Sequence, residues 1–270
     1  MKVKNLIVNI YKTLFFFDLS IVLVYYLPDI KTENSALLNL WREGIFLIVM
    51  IVFTVFFIRA VERRRLKVFN FKNKMRHYSI GLLSGVIPLG ITVSVLFAFK
   101  MLKLSGTNKI SHIAFWLLAI LFNAVATELL LRGYLFRLYR KYYSLPVVVA
   151  VITILFISLN IYIFSDGIIY AVNMLLMNIM LCLLAEYSYS LLAPITAHFF
   201  YNALSSFLFG SYSISEEYPV LLKAAFSGNK YLSGGDMRLE GSIIMLIANL
   251  ALCAFFIIKL KKRNTGREYR

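Results

Sequence analysis

Inside long apolar runs, this sequence carries a few side chains that apolar surroundings tolerate poorly. Glu128 and Arg132 are four residues apart. On a helix they share one face, with the acid N-terminal to the base, the favourable order for a pair. Ser158 and Asn160 interrupt a second apolar run, and His198 and Asn202 repeat the spacing of four in a third. Carboxylate, guanidinium, imidazole, hydroxyl and carboxamide groups of this kind are costly in hydrocarbon, so each demands a reason. Two reasons are open. Each residue alone can act as interhelical glue, and a Glu–Arg pair can be purely structural. If the helices pack together, their polar faces instead enclose one polar pocket. Asp18 and Asn178 also fall in apolar runs, but no second residue joins them, and they read as structural.

The elements that must position these groups follow from composition. Of 270 residues, 60% are hydrophobic and 16% charged, against roughly 45–50% and 25% in soluble domains. Mean hydropathy is +0.77. Apolar runs of about 20 residues match the hydrocarbon thickness of a bilayer. The expected fold is all-α, a polytopic membrane bundle of about eight spans. They are Ile7–Leu27, Gly44–Val61, Tyr78–Phe99, His112–Gly133, Leu145–Phe164, Ile168–Ala185, Leu191–Phe209 and Ser242–Leu260. Lys2 and Lys4 precede the first span, and no A-x-A-like cleavage site follows it, so a retained span is expected.

The net charge of +16 sits in blocks beside these runs, which suits topology and anionic lipid head groups rather than nucleic acid. One block runs from Arg59 through Arg63, Arg64, Arg65, Lys67, Lys72 and Lys74 to Arg76. The second is Arg137, Arg140 and Lys141, and the third Lys261, Lys262, Arg263, Arg267 and Arg270. With alternating spans all three share one side, which places both termini in the cytoplasm of a plasma-membrane protein. Lys100, Lys103 and Lys109 fall on the other side as an exception. The long outer loop Gly210–Gly241, with Glu216, Glu217 and a Gly234-Gly235-Asp236 turn signal, is placed to pack over the outer face or to contact a partner. Cys182 and Cys253 lie in apolar runs and imply neither a disulfide framework nor a metal site. The organisation read is 1–110 for the N-terminal helices and basic loop, 111–209 for the motif-bearing core, and 210–270 for the outer loop, last span and tail.

Three segments carry a resemblance. Thr127-Glu128-Leu129-Leu130-Leu131-Arg132-Gly133-Tyr134-Leu135, Phe156-Ile157-Ser158-Leu159-Asn160 and His198-Phe199-Phe200-Tyr201-Asn202, the last preceded by Ser190-Leu191-Leu192-Ala193-Pro194, resemble the CPBP family of CAAX proteases and bacteriocin-processing enzymes. That family carries Glu-Glu-x-x-x-Arg, Phe-x-x-x-His and His-x-x-x-Asn in this order. Agreement runs over about Phe122–Leu208. The resemblance implies intramembrane peptidase chemistry, in which the first Glu activates water and the two His stabilise an oxyanion or hold a metal.

This chain departs from the pattern at two positions. Thr127 stands where the family has its first Glu, and Asn160 where it has the second-motif His. Arg132-Gly133-Tyr134 fixes the register, and Glu128 points about 100° around the helix from Thr127. A threonine hydroxyl is a poor base at pH 7, and losing a general base costs about 10²–10⁴-fold in rate. Asn160 retains the ability to donate to an oxyanion. One His and one carboxylate fall short of the three protein ligands zinc takes, so no metal or other cofactor is expected. The candidate site residues are Thr127, Glu128, Arg132, Asn160, His198 and Asn202. The leading reading is a catalytically degenerate member that binds, escorts or regulates a membrane protein or peptide. An active endopeptidase using Glu128 and His198 is the alternative, serving peptide maturation or self-immunity to a bacteriocin-type peptide. A small-solute transporter is the third reading, without an inverted repeat in its favour.

Overall fold

The computed structural model describes residues 2–63, 73–211 and 218–268. Residues 64–72, with half of the first basic block, and 212–217, with Glu216 and Glu217, lie outside them, as does Arg270. Helices dominate: α1 (Lys2–Tyr26), α2 (Ser35–Phe56), α3 (Lys74–Ala98), α4 (Ile113–Glu128), α5 (Phe136–Arg140), α6 (Leu145–Leu159), α7 (Ile168–Ser188), α8 (Leu192–Asn202), α9 (Lys230–Ser233) and α10 (Ile243–Glu268). Turns of π-helix extend α2 over Phe57–Val61, join α4 to α5 over Leu129–Leu135, and continue α8 over Ala203–Leu208.

Among the described residues six helices are long and apolar enough to cross a bilayer: Ile7–Tyr26, Ser35–Val61, Lys74–Ala98, Ile113–Arg140, Ile168–Ser188 and Gly235–Arg263. The protein is therefore an integral membrane helix bundle, with six such spans among the described residues where about eight were expected. The fifth and seventh expected spans fail for physical reasons. The run Leu145–Phe164 stops being helical at Leu159, because Asn160 turns its carboxamide back to donate to the Phe156 carbonyl at 2.9 Å. The chain then turns through residues 160–166 to Gly167, whose φ is +109°. The 15 residues of α6 reach about 22 Å, short of the roughly 30 Å hydrocarbon core. In the second case α8 spans only 11 residues. Its π-helical continuation adds Ser205 and Ser206 to a helix already interrupted by Pro194, Thr196, His198 and Asn202.

The chain divides into two compact units, Met1–Lys72 with Ser111–Leu155, and Asn73–Ile110 with Phe156–Arg270. The segment 111–209 contributes to both. In the first unit α2 packs along α4. The approach is close at Gly44, which faces the Phe122 ring, and polar where Asn123 donates to Glu43 at 3.1 Å. Asn34 caps α2, its side-chain oxygen accepting from the amides of Ala36 and Leu37, which satisfies donors that a helix N-terminus leaves open. On the surface Arg42 pairs with Asp29 at 2.8 Å and holds that exposed carboxyl below its ordinary range.

In the second unit α3 packs against α8, and α10 against α7 and α3. The α3–α8 contact depends on two glycines one turn apart. A Cβ at Gly81 would stand 2.3 Å from the Ala193 carbonyl oxygen, and one at Gly85 2.4 Å from that of Ala197. Small residues that admit backbone contact are the main source of helix association where lipid is as apolar as leucine. Arg263, from the C-terminal basic block, donates to the Tyr187 carbonyl at 3.0 Å, lies 3.8 Å from Glu186 and covers the Tyr189 ring. The outer-loop segment forms an element the sequence reading lacked. Strand β1 (Leu102–Thr107) pairs antiparallel with β2 (Leu222–Phe226), so Lys103, the topological exception, sits in a two-stranded ribbon. The Gly234-Gly235 turn has positive φ at both glycines, +86° and +57°.

Gly85→Ala should destabilise the protein by about 1–3 kcal/mol through overpacking. Gly90→Ala, with nothing within 4 Å of its new methyl, should be neutral or slightly stabilising. Thermal unfolding of the detergent-solubilised protein compares the two.

Candidate functional site

The first-motif residues sit where α4 gives way to π-helix. α4 keeps α-helical geometry through Glu128, so Thr127 and Glu128 stay about 100° apart around the axis. Thr127 is half-buried. Glu128 and Arg132 have 0% and 1% of their side chains exposed and form an ion pair at 3.0 Å. The π-helical turn buries every residue from Leu129 to Leu135, and such turns are frequent at functional sites.

The same unit contains a second buried charge that sequence reasoning missed. Lys12 in α1 pairs with Glu62, beyond the end of α2, and the Tyr134 hydroxyl donates to the same carboxylate oxygen at 3.3 Å. The Tyr134 ring is held by Phe16 at 4.5 Å and Phe57 at 5.1 Å between ring centres. The Gly133-Tyr134-Leu135 continuation of the first motif is thus an anchor for α1 and the end of α2. A signal was present: Glu62 is the lone acid in a run otherwise read only for its basic residues.

The other motif residues belong to the second unit. Asn160 is half-buried, and its carboxamide donates to the Phe156 carbonyl. Ser158 is exposed. His198 is half-buried and Asn202 buried, on one face of α8. Ala193 and Ala197, which carry the glycine contacts with α3, lie about 100° from that face. The His198–Asn202 face is therefore separate from the one pressed on α3. Asp18 is exposed on α1, and Asn178 is buried in α7.

A buried polar cluster that the sequence did not reveal lies in this unit too. Asn173 in α7 donates from one amide nitrogen to the carbonyls of Glu240 and Ser242, at 2.8 and 3.1 Å, and accepts from Asn249 in α10 at 3.1 Å. The Glu240 side chain is fully buried next to Tyr201 and Tyr170. Tyr201 is the residue before Asn202, so the third motif and this carboxylate share one neighbourhood. Beside it a cavity of about 570 Å³ is lined in part by Asp166, Tyr170, Lys230 and Asp236. Amides at 173 and 249, inside two spans, were the sequence signal.

Among the described residues no three of His, Cys, Asp or Glu gather in a ligand set. The motif carboxylate is already paired with a guanidinium, and the second-motif position offers a carboxamide.

The fold and the site define a polytopic membrane protein with polar groups built into its helices. Within it, residues 109–204 match the family model described as Rce1-like, Type II CAAX prenyl endopeptidase Rce1-like. That matched segment is similar to CAAX-protease (CPBP) domains, and all six candidate site residues fall inside it. No curated protein and no solved structure matches the chain.

Replacing Asn173 by leucine should strand two buried carbonyls and the Asn249 amide, at about 1–3 kcal/mol for each group left unsatisfied. Thermal unfolding in detergent should show that loss, and Asn173→Asp should recover less than half of it, since an ionised carboxylate donates to neither carbonyl.

Proposed function

We propose that this protein is a catalytically degenerate CPBP-type membrane protein that binds or regulates a membrane protein or peptide through polar residues kept in its helices. It resides in the plasma membrane with both termini cytoplasmic. One observation carries the reading: the motif carboxylate, Glu128, is enclosed and ion-paired with Arg132. Two others support it. Thr127 replaces the residue that the family uses to activate water, and the Asn160 carboxamide is engaged with its own helix end. His198 and Asn202 share a face of α8 other than the one on which Ala193 and Ala197 meet α3. Polar groups in membrane helices are costly to retain, which favours a continuing contact over a relic.

The π-helical turn over Leu129–Leu135 favours a second reading, an active endopeptidase in which Glu128 acts through a water and His198 and Asn202 orient the carbonyl. Purification from native membranes in mild detergent, with mass spectrometry of whatever co-purifies, separates the two. The degenerate reading expects an uncut partner with the wild type and about two- to tenfold less of it with His198→Ala, the worth of one hydrogen bond. Shortened peptides present with the wild type and missing with both His198→Ala and Glu128→Gln would overturn it.

A further inference from the structure

Where the first unit's helices end, a cavity of about 300 Å³ is lined by Lys12, Val61, Glu62, Arg63, Lys141 and Tyr142. Its walls come from three places in the chain: the third turn of α1, the end of the π-helical extension of α2, and the turn after α5. Only one of the six residues is apolar. Three cations face one carboxylate, and that carboxylate already engages Lys12 and the Tyr134 hydroxyl. The cavity therefore keeps an excess of positive charge on Arg63 and Lys141, both exposed.

The donor set has a definite chemistry. Arg63 presents a planar fork suited to two oxygens of one anion, and Lys141 a point charge. Lys141 extends over the Tyr142 ring with its nitrogen 5.1 Å from the ring centre, and both residues line the cavity. Arg63 holds a left-handed backbone, φ +48°, a conformation that a bulky residue keeps only where its surroundings enforce it. A tetrahedral, multiply charged oxyanion suits the guanidinium fork and the ammonium together. The volume is at the lower end for ligand sites, enough for a phosphate-bearing head group but too small for an acyl chain.

We propose that this cavity is a phosphate site that takes the head group of an anionic phospholipid. Both α2 with its extension and the α4–α5 segment end at its rim as membrane-length helices, so the cavity stands at the level where lipid head groups lie. Basic pockets between helix ends are the known setting for such head groups. The inference is independent of whether the motif residues catalyse.

The test uses the full chain in nanodiscs of phosphatidylcholine with or without phosphatidylglycerol. Lipid retained on extraction into detergent is measured by native mass spectrometry, and a second arm adds inorganic phosphate to both samples. The variants are Arg63→Ala with Lys141→Ala, and Arg63→Glu with Lys141→Glu. These exposed positions leave the Lys12–Glu62 pair intact, and Lys223→Ala, on the strand of the other unit, is the control. Wild type should retain phosphatidylglycerol selectively, the double alanine variant about tenfold or more less, and the charge reversal none. Displacement of that lipid by millimolar phosphate would support the shared phosphate chemistry. Binding of phosphate with no lipid preference would overturn the head-group assignment. Equal retention by wild type and both double variants would overturn the site altogether.

Discussion

A carboxylate with no exposed surface inside an apolar bundle is costly to keep ionised unless a cation shares its enclosure, because taking either ion out of water costs several kcal/mol. Glu128 finds that cation four residues along its own segment, at Arg132. The consequences extend beyond the pair. The helix must continue without a break from one partner to the other, and here it does so by passing into a π-helical turn whose residues are all buried. Tyr134, at the far end of the turn, can then reach Glu62 and tie α1 and the end of α2 to the motif segment. The first unit is organised around charges that have to be met in place.

The second unit solves the same problem with carboxamides and small residues. Asn173 and Asn249 satisfy the backbone where the last membrane helix begins, and Arg263 closes the opposite end of the same helix pair on Glu186 and its neighbours. Between them, Gly81 and Gly85 let α3 and α8 approach to backbone contact. Hydrophobic burial gives helices no preference for one another within lipid. Placement of α8, and with it of His198 and Asn202, thus rests on these contacts.

The sequence made a good deal of this legible. Long apolar runs reported a helical membrane protein, and three spaced motifs pointed to the family whose model matches residues 109–204, because both signals are local. The Glu128–Arg132 pair was legible for the same reason, being separated by one helical turn. What escaped was set by distant partners or by helix ends. The count of spans came out high because hydropathy reads Leu145–Phe164 as continuous. The Asn160 carboxamide, which ends the helix on the Phe156 carbonyl, gives no hydropathy signal. Glu62 and Glu240 were passed over because each lies beside a charged or glycine-rich stretch that reads as loop. Their burial depends on Lys12 and Tyr134 in one case, and on Tyr201 and Tyr170 in the other, residues tens of positions away in the chain.

The central claim is that Glu128 serves as the counter-ion of Arg132 and not as a base. A double-mutant cycle on folded stability in detergent tests it most directly, with Glu128→Gln, Arg132→Met and the two combined. Each single change should cost about 3–5 kcal/mol, as expected when one member of a buried pair is removed. The double variant should lose clearly less than the sum. If Glu128→Gln unfolds at the wild-type temperature, the carboxylate is not needed to hold the structure, and the account is contradicted.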